Sequence, residues 1–446
     1  MPLDEFFVRV IEECKGIQKT YSPFITLEDS LTQGKNRGAL FGLPVSIKDS
    51  ICTMGMQTTA GSKILQGYIP PFDATCVARL KEAGATIIGK TAMDEFGFGT
   101  FSTTCAYGVP KNPVDIERSC GGSSGGAGCI TAAANFPHVA VAQSTGGSIT
   151  APAAFTGTVG LTPTYGRVSR YGLIDYSNSM DKIGVISKTV HDAAMVFSVI
   201  AGYDALDSTS ANVPAQDFAK ALGDASGLRI GVPKEYFSES VDRQISKIVL
   251  DKAGAFEKQA VKVEAMSLPL TKYAIPAYYL IAMSEASTNL AKFCGLRYGL
   301  QEEVKGNYEE YFSAVREHGL GEEAKRRILL GTYARMAGFR DAYYLKALKV
   351  RSKIINEFKA AFQKYDVLIT PSMPLLPPRF SDIKSMEPIK AYGIDMLTVA
   401  PNMAGLPTIS VPAGTQNGLP IGMQIIGNYF REDSVFKVAY ALEGLK

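Results

Sequence analysis

Leu3, Phe6, Phe7, Val10, Ile11 and Cys14 recur at three- and four-residue intervals. One stripe of a helix collects all six, so residues 1–20 are predicted to form an N-terminal helix that docks on a larger body. From Leu40 to Ile47 the pattern becomes a short apolar run interrupted by Pro44. Proline donates no ladder hydrogen bond, so the run predicts a short or edge strand, with Lys48 and Asp49 at its end. Asp73 stands where it can cap a helix carrying Val77, Leu80 and Ala83; Gly84 would stop that helix, and Thr86-Ile87-Ile88 then reads as a buried strand. Thr189 and Asp192 have the spacing of a capping box with Asp in place of Glu. Further strands are predicted at Leu228 to Val232, Val367 to Thr370, Thr408 to Val411 and Gly422 to Ile426, with a closing helix from about Ser434. The pattern of about 240–365 is mainly helical. Strands at both ends with helices between them predict an α/β protein. Its single domain, residues 21–446, would hold one mixed sheet assembled from distant parts of the chain, with a helical insertion.

One stretch fits no simple period. Ser119 to Pro152 holds two glycine-serine clusters, Gly121-Gly122-Ser123-Ser124-Gly125-Gly126 and Thr145-Gly146-Gly147-Ser148, separated by an apolar segment that can pack as a helix and a strand. Glycine frees the backbone and removes side chains above the peptide, so N–H groups can face a developing negative charge, as in an oxyanion hole. A flexible linker would be polar around its glycines. Here Ala132, Ala133, Val139, Val141 and Ile149 lie beside them instead.

A serine nucleophile needs a base. The chain has only three histidines, His138, His191 and His318, and only His138 is near the clusters in sequence. A lysine can serve instead, as in Ser-Lys enzymes. Bringing its pKa from ~10.4 to near 7 requires about 4–5 kcal/mol of differential stabilisation, which burial supplies. Lys48, after an apolar strand, is the first candidate and Lys90 the second. Gly84 to Thr91, GATIIGKT, matches the phosphate-loop pattern literally. That loop needs a strand before it and turn-formers within it, whereas here a helix precedes and the middle is β-branched, so the match carries no nucleotide site.

The remaining composition narrows the field. Lys+Arg and Asp+Glu are nearly balanced, 46 against 43, which argues against a large nucleic-acid footprint. The basic run around Lys325-Arg326-Arg327 reads as a solvated helix face. Seven scattered cysteines without a C-x-x-C argue against a disulfide framework and a zinc site. With no basic leader and no apolar run of about 18 residues, the expectation is a cytoplasmic protein with no metal site.

The motifs LPVSIKDSI, PPFDATCVARLKEAGATIIGKTAMDEF, GGSSGG, TGGSITAPA, GLTPTYGRVSRYGL, KRRILLGTYA, DAYYLKALKVR and NMAGLPTISVP resemble the amidase signature family, and within it the A subunits of the tRNA-dependent amidotransferases. The resemblance runs over nearly the whole chain. It implies the amidase signature fold, a large twisted mixed β-sheet flanked by α-helices, and a Ser-Ser-Lys triad: Lys48 as base, Ser123 as relay next to a cis peptide bond, and Ser148 as nucleophile. Backbone N–H groups of Thr145, Gly146, Gly147 and Ser148 would form the oxyanion hole. Glutamine would be held by Tyr279, Arg327 and Asp395, with Tyr278 and Arg326 as open alternatives; a guanidinium suits an α-carboxylate and a carboxylate an α-ammonium. The implied partners are the B and C subunits of the amidotransferase, with tRNA bound mainly through the B subunit. No cofactor is expected in this chain, ATP and Mg belonging to the partner. The family usually has Asp four residues before the nucleophile and Arg two after it. Here those places hold Ser144 and Thr150, a paired exchange of a buried ion pair for neutral groups. A free-standing amidase and a catalytically silent scaffold are the other two readings.

Overall fold

The computed structural model describes residues 3–31, 36–259 and 261–445, so residues 1, 2, 32–35, 260 and 446 of the expected spans lie outside the described residues. The strands are β1 (Phe24–Leu27), β2 (Pro44–Lys48), β3 (Thr86–Thr91), β4 (Lys111–Asn112), β5 (Asp115–Ser119), β6 (Val139–Ser144), β7 (Val159–Thr162), β8 (Lys182–Ser187), β9 (Arg229–Pro233), β10 (Lys262–Met266), β11 (Val367–Pro371), β12 (Thr408–Gln416) and β13 (Leu419–Gly427). Eleven of them form one mixed sheet in the order β1-β3-β2-β6-β8-β7-β12-β13-β11-β9-β10, and β4 pairs only with β5. The six strands of this sheet that precede residue 190 make one side of it, and β9 to β13 the other. The two sides join where β7 runs antiparallel to β12, from Thr162 opposite Thr408 to Gly160 opposite Ser410.

The amphipathic N-terminal stripe forms the helix Leu3–Tyr21, which buries Phe7, Val10, Ile11, Cys14 and Ile17. Val10, Cys14 and Ile17 share a core with Phe24, Ile88 and Ile130, each full apolar side chain there contributing roughly 1.5–3 kcal/mol. One pair of alternatives is decided, the segment at Pro44 being a short strand but not an edge strand, and one local expectation is corrected. β2 is an interior strand, parallel to β3 on one flank and to β6 on the other. Pro44 is tolerated because it is the first residue of β2, where a missing N–H interrupts nothing. Asp73 does not cap the helix Thr75–Glu82, which starts at Ala74 without a side-chain cap; its Oδ1 accepts from the Met54 N–H at 2.8 Å and its Oδ2 pairs with Lys81 at 2.8 Å.

The GATIIGKT segment is a turn at Gly84, with φ +90°, followed by β3. Lys90 is buried at the end of that strand, where it donates to the Ile51 carbonyl (2.8 Å) and Thr58 Oγ1 (2.6 Å) and lies 3.5 Å from Asp49 Oδ1. It cannot reach a phosphate. Within 240–365 the helices Arg243–Ala255, Ala274–Asn289, Tyr308–Gly319, Glu322–Arg335 and Lys346–Ala361 predominate, and β10 lies between the first two.

Candidate active site

β2 and β6 are parallel neighbours, so their C-terminal ends open on the same rim of the sheet. Lys48 ends one and Gln143-Ser144 ends the other. Lys48 Nζ lies 2.7 Å from Ser123 Oγ and donates to the Gln143 carbonyl at 2.9 Å and to its side-chain Oε1 at 3.1 Å. Burial lowers the Lys48 pKa to about 7, against the opposing pull of Asp94 and Asp181. Near neutrality a substantial fraction of this amine is therefore unprotonated and able to accept a proton.

Ser123 follows a cis peptide bond from Gly122. Two glycines let this loop approach its neighbours. A Cβ on Gly121, which has φ +79°, would stand 2.8 Å from the Ala151 carbonyl, and one on Gly122 would stand 2.2 Å from Asp94 Oδ2. The Ser123 loop thus lies against both the Asp94 loop and the first turn of the helix Thr150–Thr156, which follows Ser148. Asp94 is spent on the backbone: its carboxylate accepts from the N–H groups of Ser102 (2.8 Å) and Thr104 (3.1 Å), and its own N–H donates to the Ser123 carbonyl (3.1 Å).

The second cluster continues from β6. Thr145 Oγ1 donates to Asp181 Oδ1 at 2.5 Å and accepts from Gln143 Nε2 at 2.7 Å. Asn402 Nδ2 donates to the Thr145 carbonyl, and Ser144 Oγ to the Gly146 carbonyl at 3.0 Å. These bonds fix the turn by its carbonyls and side chains. Among the described residues, the N–H groups of Gly146, Gly147 and Ser148 donate to no backbone carbonyl, which leaves them available to an anion. Lys48 and Ser123 are fully buried, whereas Ser148 is 7% exposed; of the three, it is the one that an incoming substrate can touch. Ser144 and Thr150, the departures from the family pattern, are both buried.

Arg327 enters from the helix Glu322–Arg335. It is buried, its guanidinium lies 5.2 Å from the Phe98 ring centroid, 5.3 Å from those of Tyr279 and Tyr392 and 5.8 Å from that of Tyr176, and it donates to Tyr176 Oη (2.7 Å) and Glu323 Oε1 (2.7 Å). Arg326 instead turns outward onto Glu323, with 41% of its side chain exposed. Tyr279 Oη donates to Asp395 Oδ2 at 2.8 Å, and Thr100 Oγ1 lies 3.2 Å from the same oxygen. Burial raises the Asp395 pKa to about 6, partly offset by Tyr279 and Arg327. Tyr278 lies beside Tyr279, ring centroids 5.0 Å apart, with its hydroxyl turned toward the second glycine-serine cluster, where a Cβ on Gly146 would stand 2.9 Å from it. A cavity of about 380 Å³, lined by Phe98, Thr100, Glu323, Arg327 and Tyr392 among others, opens this region to the surface.

The structure thus joins Lys48 to Ser123 and Tyr279 to Asp395 by direct hydrogen bonds, and sets Arg327 against the Tyr279 ring. Sequence reasoning missed Asp94, Gln143, Tyr176, Asp181, Glu323 and Asn402, which hold these groups in place. His138 lies apart, with Nε2 3.0 Å from Ser46 Oγ and Nδ1 3.3 Å from Thr131 Oγ1, and burial lowers its pKa to about 3. His318 pairs with Glu302. His191 is exposed beside Asp192, so none of the three histidines hydrogen-bonds Ser123 or Ser148 and a Ser-His-Asp arrangement is absent among the described residues. Nor is any helix there long and apolar enough to cross a membrane.

The chain is 51% identical over 412 residues to a protein from Methanococcoides burtonii named as the A subunit of glutamyl-tRNA(Gln) amidotransferase, covering 92% of this chain and 86% of that one. A protein of the same name from a Geobacillus species is 46% identical, with 99% and 92% covered. The crystal structure of the A subunit of glutamyl-tRNA(Gln) amidotransferase from Thermotoga maritima superposes with a TM-score of 0.86 at 37% identity, covering 100% of this chain and 92% of that one. With the amidase family model matching residues 25–436 as well, the chain belongs to the amidase family.

Proposed function

We propose that this chain is the glutamine-hydrolysing subunit of an amidotransferase that converts Glu-tRNA(Gln) or Asp-tRNA(Asn) to the amide form. The observation that carries the chemistry is the 2.7 Å contact between Ser123 and a buried lysine whose pKa lies near 7; the place in an amidotransferase rests on relatives of that name at 46–51% identity.

In this reading Ser148 Oγ attacks the side-chain carbonyl of glutamine while its proton passes through Ser123 to Lys48. The oxyanion that forms is met by the N–H groups of Thr145, Gly146, Gly147 and Ser148. Lys48 returns the proton through Ser123 to the nitrogen, the C–N bond breaks, and ammonia leaves behind an acyl-Ser148. Water then attacks the acyl carbon, giving its proton to the same relay, and glutamate departs with Ser148 restored. Arg327 holds the α-carboxylate, and Asp395, oriented by Tyr279, holds the α-ammonium. The ammonia serves the partner B and C subunits. The B subunit would carry most of the tRNA contact, and ATP with Mg would act on the partner, all in the cytoplasm.

The test is ammonia release from glutamine by the purified chain, alone and with the B and C subunits. Ser148→Ala is expected to lower turnover by at least about 10³-fold. Arg327→Ala is expected to act through KM by about 10-fold or more, the size of a lost charge-assisted hydrogen bond. Hydrolysis of simple amides with no turnover of glutamine would place the chain among free-standing amidases, which have no use for the Arg327–Tyr279–Asp395 arrangement.

A further inference from the structure

The amine of Lys48 has three neighbours within hydrogen-bond reach, and two of them belong to one residue. Its Nζ lies 2.9 Å from the Gln143 carbonyl, 3.1 Å from Gln143 Oε1 and 2.7 Å from Ser123 Oγ. An ammonium has three protons to place there. The neutral amine has two protons and a lone pair, and it can act as a base only along the direction of the lone pair. An amide or backbone carbonyl oxygen accepts and never donates, whereas a serine hydroxyl does both. The two Gln143 oxygens therefore take both N–H groups of the neutral amine, and the lone pair is left facing the Ser123 hydroxyl.

The main-chain oxygen comes with β6, but the side-chain oxygen has to be turned toward Lys48. Exchanging the two ends of the amide would set its N–H groups against those of the lysine. Gln143 is held against that exchange. Its Nε2 donates to Asp181 Oδ1 at 3.0 Å and to Thr145 Oγ1 at 2.7 Å. Thr145 Oγ1 gives its own proton to Asp181 Oδ1, 2.5 Å away, so toward the amide it can only accept. Asp181 Oδ2 in turn accepts from the N–H groups of Tyr176 (2.8 Å) and Ser177 (2.9 Å). The backbone thus fixes the carboxylate, the carboxylate fixes the amide, and the amide fixes the amine. Gln143, Lys48 and Asp181 are all buried, where a misplaced donor finds no water to replace its partner.

We infer that Gln143 is a positioning residue for the proton transfer: it aims the Lys48 lone pair at the Ser123 hydroxyl, with Asp181 holding it in register. The inference rests on the Ser-Ser-Lys reading and deepens it. As Ser148 attacks, its proton passes to Ser123 Oγ while the Ser123 proton passes to Lys48 Nζ. One O–H bond forms at Ser123 as the other breaks, and the new N–H bond completes an ammonium whose three protons meet Ser123 Oγ and the two Gln143 oxygens. No group has to turn before or after the step.

The charged groups that act on Lys48 are Asp94, on the loop after β3, and Asp181, immediately before β8. Gln143 adds an acceptor and no charge, so its loss has its own signature. Removing an acceptor that favours the ammonium lowers the pKa of the amine, whereas loosened packing admits water and lets the pKa rise.

The experiment uses the full chain co-expressed with the B and C subunits and follows ammonia release from glutamine and from propionamide between pH 5 and 9. Gln143→Met and Gln143→Glu are compared with the parent. Methionine fills similar space without an oxygen; glutamate keeps an oxygen toward Lys48 and can share a proton with Asp181 Oδ1. Gln143→Met is expected to lower kcat by about 100-fold, the scale of a positioned general base, to leave KM within about 2-fold, and to move the acid limb of kcat to lower pH. Gln143→Glu is expected to recover at least about 10-fold of that loss. Should the methionine variant not fold, Gln143→Asn, which withdraws the side-chain oxygen by one methylene, takes its place with the same expected loss. A kcat within about 2-fold of the parent would overturn the inference, because the lone pair would then need no guide. A loss of kcat with the acid limb moved to higher pH would overturn it too, since Gln143 would then only keep water out. A glutamate variant no more active than the methionine one would do the same. If the parent turns over propionamide but not glutamine, the glutaminase reading falls and the same comparison on propionamide decides the inference; silence toward both removes both.

Discussion

Lys48 is neutral above about pH 7 while the unfolded chain keeps its lysine protonated to about 10.5. Two outcomes follow at this single residue. The acid limb of kcat is expected to report an apparent pKa near 7, and a profile flat from pH 6 to 9 would remove Lys48 as the base. For stability the sign is set by linkage: the folded state excludes a proton that the unfolded state binds, so this residue's unfavourable contribution is largest below pH 7 and shrinks between 7 and 10.5. Relative to the parent, the melting temperature of Lys48→Met is expected to be more favourable at pH 6 than at pH 9. Asp395, whose pKa burial raises to about 6, works in the opposite sense on substrate: as pH falls through 6 its carboxylate is neutralised. KM for glutamine is expected to climb below pH 6, and Asp395→Asn to show the high KM at every pH. Lys48 and the two glycine-serine clusters were legible because a strand end and glycine clusters are local patterns, whereas the choice of Ser123 and Ser148 within them came from the family resemblance. Asp181 was not legible. Its link to Thr145 and Gln143 exists only through the pairing of β6 with β8, and nothing in its flanking residues marks it.

At the scale of elements, close backbone approach is the recurring device. Gly331→Ala forces the Glu322–Arg335 helix away from Ala274–Asn289, because its Cβ would lie 1.9 Å from backbone. The expected cost is about 1–3 kcal/mol, read as a lower melting temperature together with a higher KM, since Arg327 and Tyr279 ride on these two helices; a melting-temperature change with KM untouched would show that the helices do not set the glutamine site. β2 was legible as a strand, but its interior place was not, since Pro44 reads as an edge signal unless its position at the strand's first residue is known. β8 escaped notice because Lys182 and Gly184 break its apolar run. In the fold Lys182 is buried with Nζ 2.8 Å from the Leu406 carbonyl, and Gly184 makes room for the Leu161 carbonyl, 2.1 Å from where a Cβ would sit. A buried lysine and a contact glycine look like loop residues until their neighbours are present.

Across the whole molecule, the mixed sheet from both ends of the chain is what the alternation of strand and helix patterns implied. What that pattern could not convey was the strand order, because β12 and β13 insert beside β7 ahead of β11, β9 and β10. This order separates the proposed triad from the proposed glutamine-holding residues. Lys48, Ser123 and Ser148 all belong to the part of the chain before residue 190, and Tyr279, Arg327 and Asp395 all to the part after 228, with the β7–β12 pairing as the sheet's single joint. Only the link between β8 and β9 carries the chain across, and it includes the exposed segment 214–217. The two parts nevertheless lean on each other: Thr100 and Tyr176 of the first contact Asp395 and Arg327 of the second, and Asn402 of the second holds the Thr145 carbonyl of the first. Severed within 214–217 and expressed as two fragments, neither is expected to release ammonia alone, and their mixture is expected to recover activity at a rate proportional to the product of their concentrations. Catalysis would then count encounters between the halves.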